Sequence, residues 1–164
     1  MRPQPKPAGP GQESVWDYPR PPRLETVHDD IRIIFAGVEI ARTQAAFRVL
    51  ETSHPPVYYL PPSAFQPDAL VPASGGSFCE WKGRAVYFDV AAGGRRAERA
   101  AWAYPDPTSD FAAIRDFVAV YLGKMDACFV GAEKVLPQPG GFYGGWITSN
   151  IVGPFKGDPG TQGW

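Results

Sequence analysis

Proline and glycine punctuate this chain so often that no long uninterrupted helix can be written through it. Nineteen prolines and 18 glycines fall within 164 residues, nearly twice the share of about 12% that average usage gives. Each interior proline costs roughly 3 kcal/mol in a helix, which excludes a helical bundle or a coiled coil. The glycines follow no three-residue period, so collagen is excluded as well. What remains is a turn-rich domain of short strands. The 10 Phe, 7 Tyr and 5 Trp must supply much of its core, since aliphatic residues are scarce.

The strand and turn pattern supports a mainly β fold with one helix. Ile31 to Ile40 reads as a hairpin around Gly37, Ala85–Val90 and Arg95–Tyr104 as a second around Gly93-Gly94, and Ala127–Val135 as a third. Phe47–Leu50 and Val57–Leu60 read as single strands, the latter stopped by Pro61-Pro62. Helical spacing of Phe111, Ile114, Val118, Tyr121 and Leu122 predicts one helix over 109–123, capped by Ser109 and ended by Gly123. Residues 1–12 are proline-rich and polar and read as a disordered leader, 13–136 as the domain, and 137–164 as a Gly/aromatic extension packed along it.

Charge is nearly balanced, with 16 Lys+Arg against 17 Asp+Glu, and no basic stripe is present. Neither nucleic acid nor a membrane surface is an expected partner. No apolar run is long enough to span a bilayer, and the start of the chain lacks a secretory h-region. A cytoplasmic location with Cys79 and Cys128 reduced is the simplest expectation. Two dispersed histidines and two dispersed cysteines offer no metal-ligand spacing, so neither a metal nor another cofactor is expected.

Two segments concentrate groups that can do chemistry. In Glu51-Thr-Ser-His-Pro-Pro-Val-Tyr-Tyr59, His54 is one of two histidines and is fixed by the prolines that follow. Strand alternation sends Tyr58 and Tyr59 to opposite faces, so only one can share a pocket with His54. In Cys79-Glu-Trp-Lys-Gly83, Lys82 offers an ammonium and Trp81 a planar apolar wall beside a glycine turn. Cys79 with His54 would be the minimal pair for covalent catalysis. A structural hydrogen bond at a strand start is the plain alternative for His54, and a small buried hydrophobe the plain alternative for Cys79. Gly140–Trp146 has the composition of a phosphate cradle but lacks the Gly-Lys-Ser/Thr ending, and reads better as a docking tail. Two patterns recur in order, W-x-Y-P at Trp16 and Trp102 and F-x-G-x-E at Phe35 and Phe129. They fit either a decayed duplication or chance in an aromatic-rich chain.

Four blocks in order, Glu13-Ser-Val-Trp-Asp-Tyr-Pro-Arg-Pro-Pro22, Glu51-Thr-Ser-His-Pro-Pro56 with Tyr58-Tyr59, Cys79-x-Trp-Lys-Gly83 and Ala101-Trp-x-Tyr-Pro-x-Pro107, resemble the DUF427 family. The Tyr143–Gly157 stretch is similar to an extension seen in cyanobacterial and related members. The resemblance implies a β-tent-like pair of antiparallel sheets leaning over a pocket, and implies no settled activity. A nucleotidyltransferase label sometimes travels with the domain, yet the paired carboxylates that chemistry needs for metal ions are not in evidence. Many β-tent relatives hold zinc through paired cysteines, which this chain lacks. Glu80 stands where the family often has Pro, and Arg99 where Asn is common.

The expectation is therefore a domain that binds a small polar or planar molecule. Trp16, Trp81, Trp102, Tyr104 and Tyr58 or Tyr59 would form walls, and Ser53, Lys82, Glu51 and His54 would set polarity. One alternative is a metal-independent enzyme with His54 as general acid/base oriented by Glu51. Another is an interaction module whose aromatic tail covers a partner or a second protomer as a homodimer.

Overall fold

The computed structural model describes residues 3–164. Its strands in chain order are β1 (Glu13–Ser14), β2 (Arg23–Val27), β3 (Ile31–Phe35), β4 (Val38–Thr43), β5 (Ala46–Leu50), β6 (Val57–Tyr59), β7 (Leu70–Cys79) and β8 (Gly83–Ala92). They continue with β9 (Arg95–Ala103), β10 (Val118–Val120), β11 (Ala127–Val130), β12 (Glu133–Lys134), β13 (Leu136–Pro137), β14 (Trp146–Ile147) and β15 (Ile151–Val152). The mainly β expectation holds: the strands form several antiparallel sheets, none closed into a barrel.

Two four-stranded sheets build the centre, one ordered β10-β9-β8-β7 and the other β12-β11-β3-β4. A three-stranded sheet, β2-β5-β6, continues the first. The continuation is made by Leu60 and Val118, which exchange both backbone hydrogen bonds at 2.9 and 2.7 Å.

All three hairpins read from the sequence form. At the first, Ala36 and Gly37 take φ of 53° and 72°, the two left-handed residues that a tight hairpin turn requires. The two F-x-G-x-E segments are the turns of the β3-β4 and β11-β12 hairpins, which are joined through β3 and β11 in one sheet. The W-x-Y-P segments are unlike each other: Trp16 sits in a 3-10 turn at Val15–Asp17, and Trp102 sits inside β9. The F-x-G-x-E recurrence therefore has a common structural setting, and the W-x-Y-P recurrence has none.

The helical expectation is corrected in type and extent. Ser109–Ile114 is a 3-10 segment interrupted by a non-helical Phe111, and Thr108 occupies the cap position without a side-chain bond. Asp116 then takes φ 62°, a left-handed backbone that ends the helical path. The β-branched Val118 and Val120 enter the sheet against β9 instead. Gly123 lies inside a further 3-10 turn, Leu122–Lys124.

Period-two alternation sorts the residues of the extended sheet onto two faces. Tyr58, Leu60, Val90, Ala101, Ala103, Val118 and Val120 face the second sheet, where Ile31, Ile33, Phe35, Ile40 and Cys128 complete the main core. Val49, Tyr59, Ala85, Trp102, Tyr104 and Ala119 face the other way and make a separate, aromatic-rich cluster with Phe111 and Ile114. A third cluster joins Val15, Trp16, Tyr18 and Leu50 to Ile151, with Phe155 and Trp164 packed against it. No helix among the described residues is long and apolar enough to cross a membrane.

Candidate functional site

The aromatic face of the extended sheet is only partly covered, and a cavity of about 440 Å³ opens over it. Strands supply its floor: Val49 from β5, Val57 and Tyr59 from β6, and Trp102 with Tyr104 at the end of β9. One wall is the turn between β7 and β8, carrying Cys79, Trp81 and Lys82, and the opposite wall is the Glu51–His54 turn. The C-terminal extension roofs it with Gln138, Phe142, Tyr143, Gly144 and Lys156.

Seven residues singled out in the sequence meet here: Glu51, His54, Tyr59, Trp81, Lys82, Trp102 and Tyr104. Three do not. Tyr58 occupies the opposite face of β6, where its ring stacks on Trp146 at 4.9 Å. Ser53 is fully buried with a φ of 72°, which turns its hydroxyl toward Arg20 and the Trp164 carbonyl. Trp16 belongs to the third cluster, its indole N–H donating to the Pro154 carbonyl at 2.9 Å.

The floor is an interlocked aromatic set. Trp102 Nε1–H donates to the Tyr59 hydroxyl at 3.3 Å, and its ring lies 4.6 Å from Tyr121. Tyr59 and Tyr104 are tilted with centroids 6.3 Å apart. Burial pushes both phenols well above their ordinary range, so they are neutral donors at physiological pH.

His54 is held by a residue that sequence reasoning missed. The Gln138 side chain is almost wholly buried; its oxygen accepts from Gly145 N–H at 3.1 Å, and its nitrogen donates to the Lys156 carbonyl at 2.8 Å. Those two backbone groups leave the amide only one orientation. Its remaining N–H points at His54 Nδ1, 3.0 Å away, so Nδ1 must be the acceptor and Nε2 carries the proton. The sequence assigned this orienting role to Glu51, whose carboxylate lies 3.7 Å from Nε2, beyond hydrogen-bond reach. Glu51 is instead engaged by Arg20 at 3.2 Å.

Burial is the largest influence on His54 and lowers its pKa to about 4; Glu51 opposes the shift, while Lys156, Arg20 and Lys82 add to it. His54 is therefore a neutral imidazole with one N–H at its Nε2 edge, further fixed by Tyr143 packed edge-on at 4.9 Å.

Two of the chain's five lysines line this cavity over aromatic faces. Lys82 Nζ lies 5.7 Å from the Tyr104 centroid, and Lys156 Nζ 5.5 Å from that of Tyr143. Cys79 is a half-buried free thiol on the same wall, and Cys128 is a free thiol in the main core, pushed up by burial. Among the described residues no three His, Cys, Asp or Glu side chains converge in a way that could hold a metal ion.

A second hollow of about 860 Å³ adjoins the first and shares Gln138, Phe142, Tyr143 and Gly144 with it. Its cations are engaged by the protein itself. Arg99 donates to the Ser74 carbonyl at 2.8 Å and stacks 4.2 Å over Tyr87, and Lys124 donates to the Glu98 carbonyl at 2.6 Å. The smaller cavity, with its free polar edges, is the stronger candidate site.

The family model described as a domain of unknown function, DUF427, matches residues 23–131. No curated protein matches the chain.

Proposed function

The chain belongs to the DUF427 family, and we propose that it binds a small molecule with a planar, polar character in the cavity over the aromatic face. One observation carries this reading. An opening of about 440 Å³, within the range of small-molecule sites, combines aromatic walls with a few oriented polar edges. The Nε2–H of His54 is pre-set by Gln138, and such groups recognise a ligand without first paying for their own ordering.

Acid–base catalysis by His54 is the weaker reading. Its acceptor nitrogen is already taken by Gln138, and burial holds its pKa near 4, far from the value a general base needs at neutral pH. The interaction reading has less support than the sequence suggested. Trp146, Phe155 and Trp164 of the extension pack on their own domain, leaving Phe142 as its exposed large apolar side chain.

The test is to purify the full chain and identify any co-purifying metabolite by mass spectrometry, then repeat with Trp81→Ala and His54→Ala. Retention should fall in both variants. Equal retention in all three proteins would remove the cavity from consideration.

A further inference from the structure

From the charge distribution around this cavity, and resting on the binding reading above, we propose that its ligand is an aromatic or conjugated anion, a ring system bearing a carboxylate or an equivalent single negative charge. Lys82 and Lys156 would neutralise the charged group, and the tyrosine and tryptophan faces would take the ring.

Most charges near the cavity are already compensated, and these two are not. Among the described residues the ion pairs are made by arginines and one histidine, and neither Lys82 nor Lys156 has a carboxylate within 4.0 Å. Both are half-buried on the cavity wall. Each rests against a tyrosine face instead. That contact is worth about 0.5–1 kcal/mol at exposed sites and leaves the positive charge uncancelled. Of the acidic groups on the cavity, Glu51 is bound by Arg20, and Glu80 sits exposed at the outer turn. Two uncompensated cations of like sign facing one apolar-walled space are a complement for an anion.

The neutral polar edges agree in sign. His54 presents an N–H donor at Nε2, since Gln138 occupies Nδ1. Lys156 is coupled to that same support, because its own carbonyl accepts from Gln138, so one amide positions the backbone of a lysine and the ring of the histidine. A cationic ligand would meet like charge from both lysines and a donor edge from His54, and a neutral ring would leave both ammoniums uncancelled.

The experiment uses three probes of one shape: 2-naphthoate, 2-naphthalenemethanol and 2-naphthylmethylamine, titrated calorimetrically into the full-length protein. The neutral alcohol reports on the cavity alone. The expected order is anion over alcohol over amine, the anion ahead of the alcohol by about tenfold at low salt, with that margin shrinking at 1 M salt. In Lys82→Gln and Lys156→Gln the anion should lose more affinity than the alcohol, so that its margin narrows, and an unshifted thermal unfolding midpoint shows that the cavity has stayed folded. Equal affinity for the three probes, or tighter binding of the amine, would overturn the anion proposal while leaving the cavity as a binding site. Loss of binding of all three would overturn both.

Discussion

At the scale of single residues, Gln138 is the group on which the site turns. It satisfies Gly145 N–H and the Lys156 carbonyl and fixes His54. Replacing it by Met keeps the volume and leaves these groups unpaired, which should cost about 1–3 kcal/mol per stranded group. Removing a donor that favours the neutral imidazole should also raise the His54 pKa above its value of about 4. Denaturant unfolding measures the first effect and an NMR pH titration the second; an unchanged His54 pKa in Gln138→Met would remove the amide from the account. His54 further makes stability depend on pH. Its folded value of about 4 lies below its ordinary 6.5, so between those limits the unfolded chain binds a proton that the folded chain refuses. Stability is fully present above pH 6.5 and declines as pH falls toward 4, with a slope of up to ~1.4 kcal/mol per pH unit. His54→Gln should flatten that part of the unfolding profile. His54 itself was legible in the sequence from the prolines behind it. Gln138 was not, because a glutamine 84 positions away carries no local signal of its partner. Arg99 shows a related limit. It adopts φ 47° inside β9, where the pairing with β8 shifts register, a left-handed backbone that a side chain such as Arg does not announce in the sequence.

Among the elements, strands and hairpins followed their local pattern closely, since alternation and turn glycines act over a few residues. The 109–123 stretch did not. Its buried Phe111, Ile114 and Val118 satisfy helical spacing, yet they point into clusters on opposite faces of one sheet, and only the tertiary arrangement distinguishes the two outcomes. The ten-residue β7 was also hidden, because Pro72, Gly75 and Gly76 interrupt any strand pattern there. Its register slips between Pro72 and Gly76, and it forms the edge of its sheet, where such residues are tolerated. In the extension, glycine permits a close approach that no other residue would allow, since a Cβ on Gly144 would overlap the Trp102 indole. Gly144→Ala should therefore push the roof away from the aromatic floor and cost about 1–3 kcal/mol. Thermal unfolding measures the loss, and the Trp102 indole N–H resonance should shift with it. An unperturbed Trp102 would show that the extension does not lie flat on that ring.

For the whole molecule, the family match and the architecture divide the chain in a consistent way. Residues 23–131 contain the two central sheets almost entirely, whereas β1 and β15 lie outside that region and pair with each other, Glu13 with Ile151 and Ser14 with Val152. The segments that flank the matched region are thus held together, and Trp16 meets Trp164 at 5.5 Å in the same cluster. This assembly also supplies the cavity roof, since Lys156 follows shortly after β15 and its N–H donates to the Ser53 carbonyl at 2.9 Å. The two ends should consequently loosen as one unit. Ile151→Ala removes a largely buried side chain from the third cluster, a change of the kind that costs about 2–5 kcal/mol. The loss should fall mainly on this unit. Amide hydrogen exchange should then accelerate together at β1, the Val15–Asp17 turn and β15, with β8 and β9 protected as before. Faster exchange at β15 alone would mean that the N-terminal segment is held by the domain independently. Equal acceleration throughout would make the flanking segments part of a single cooperative core.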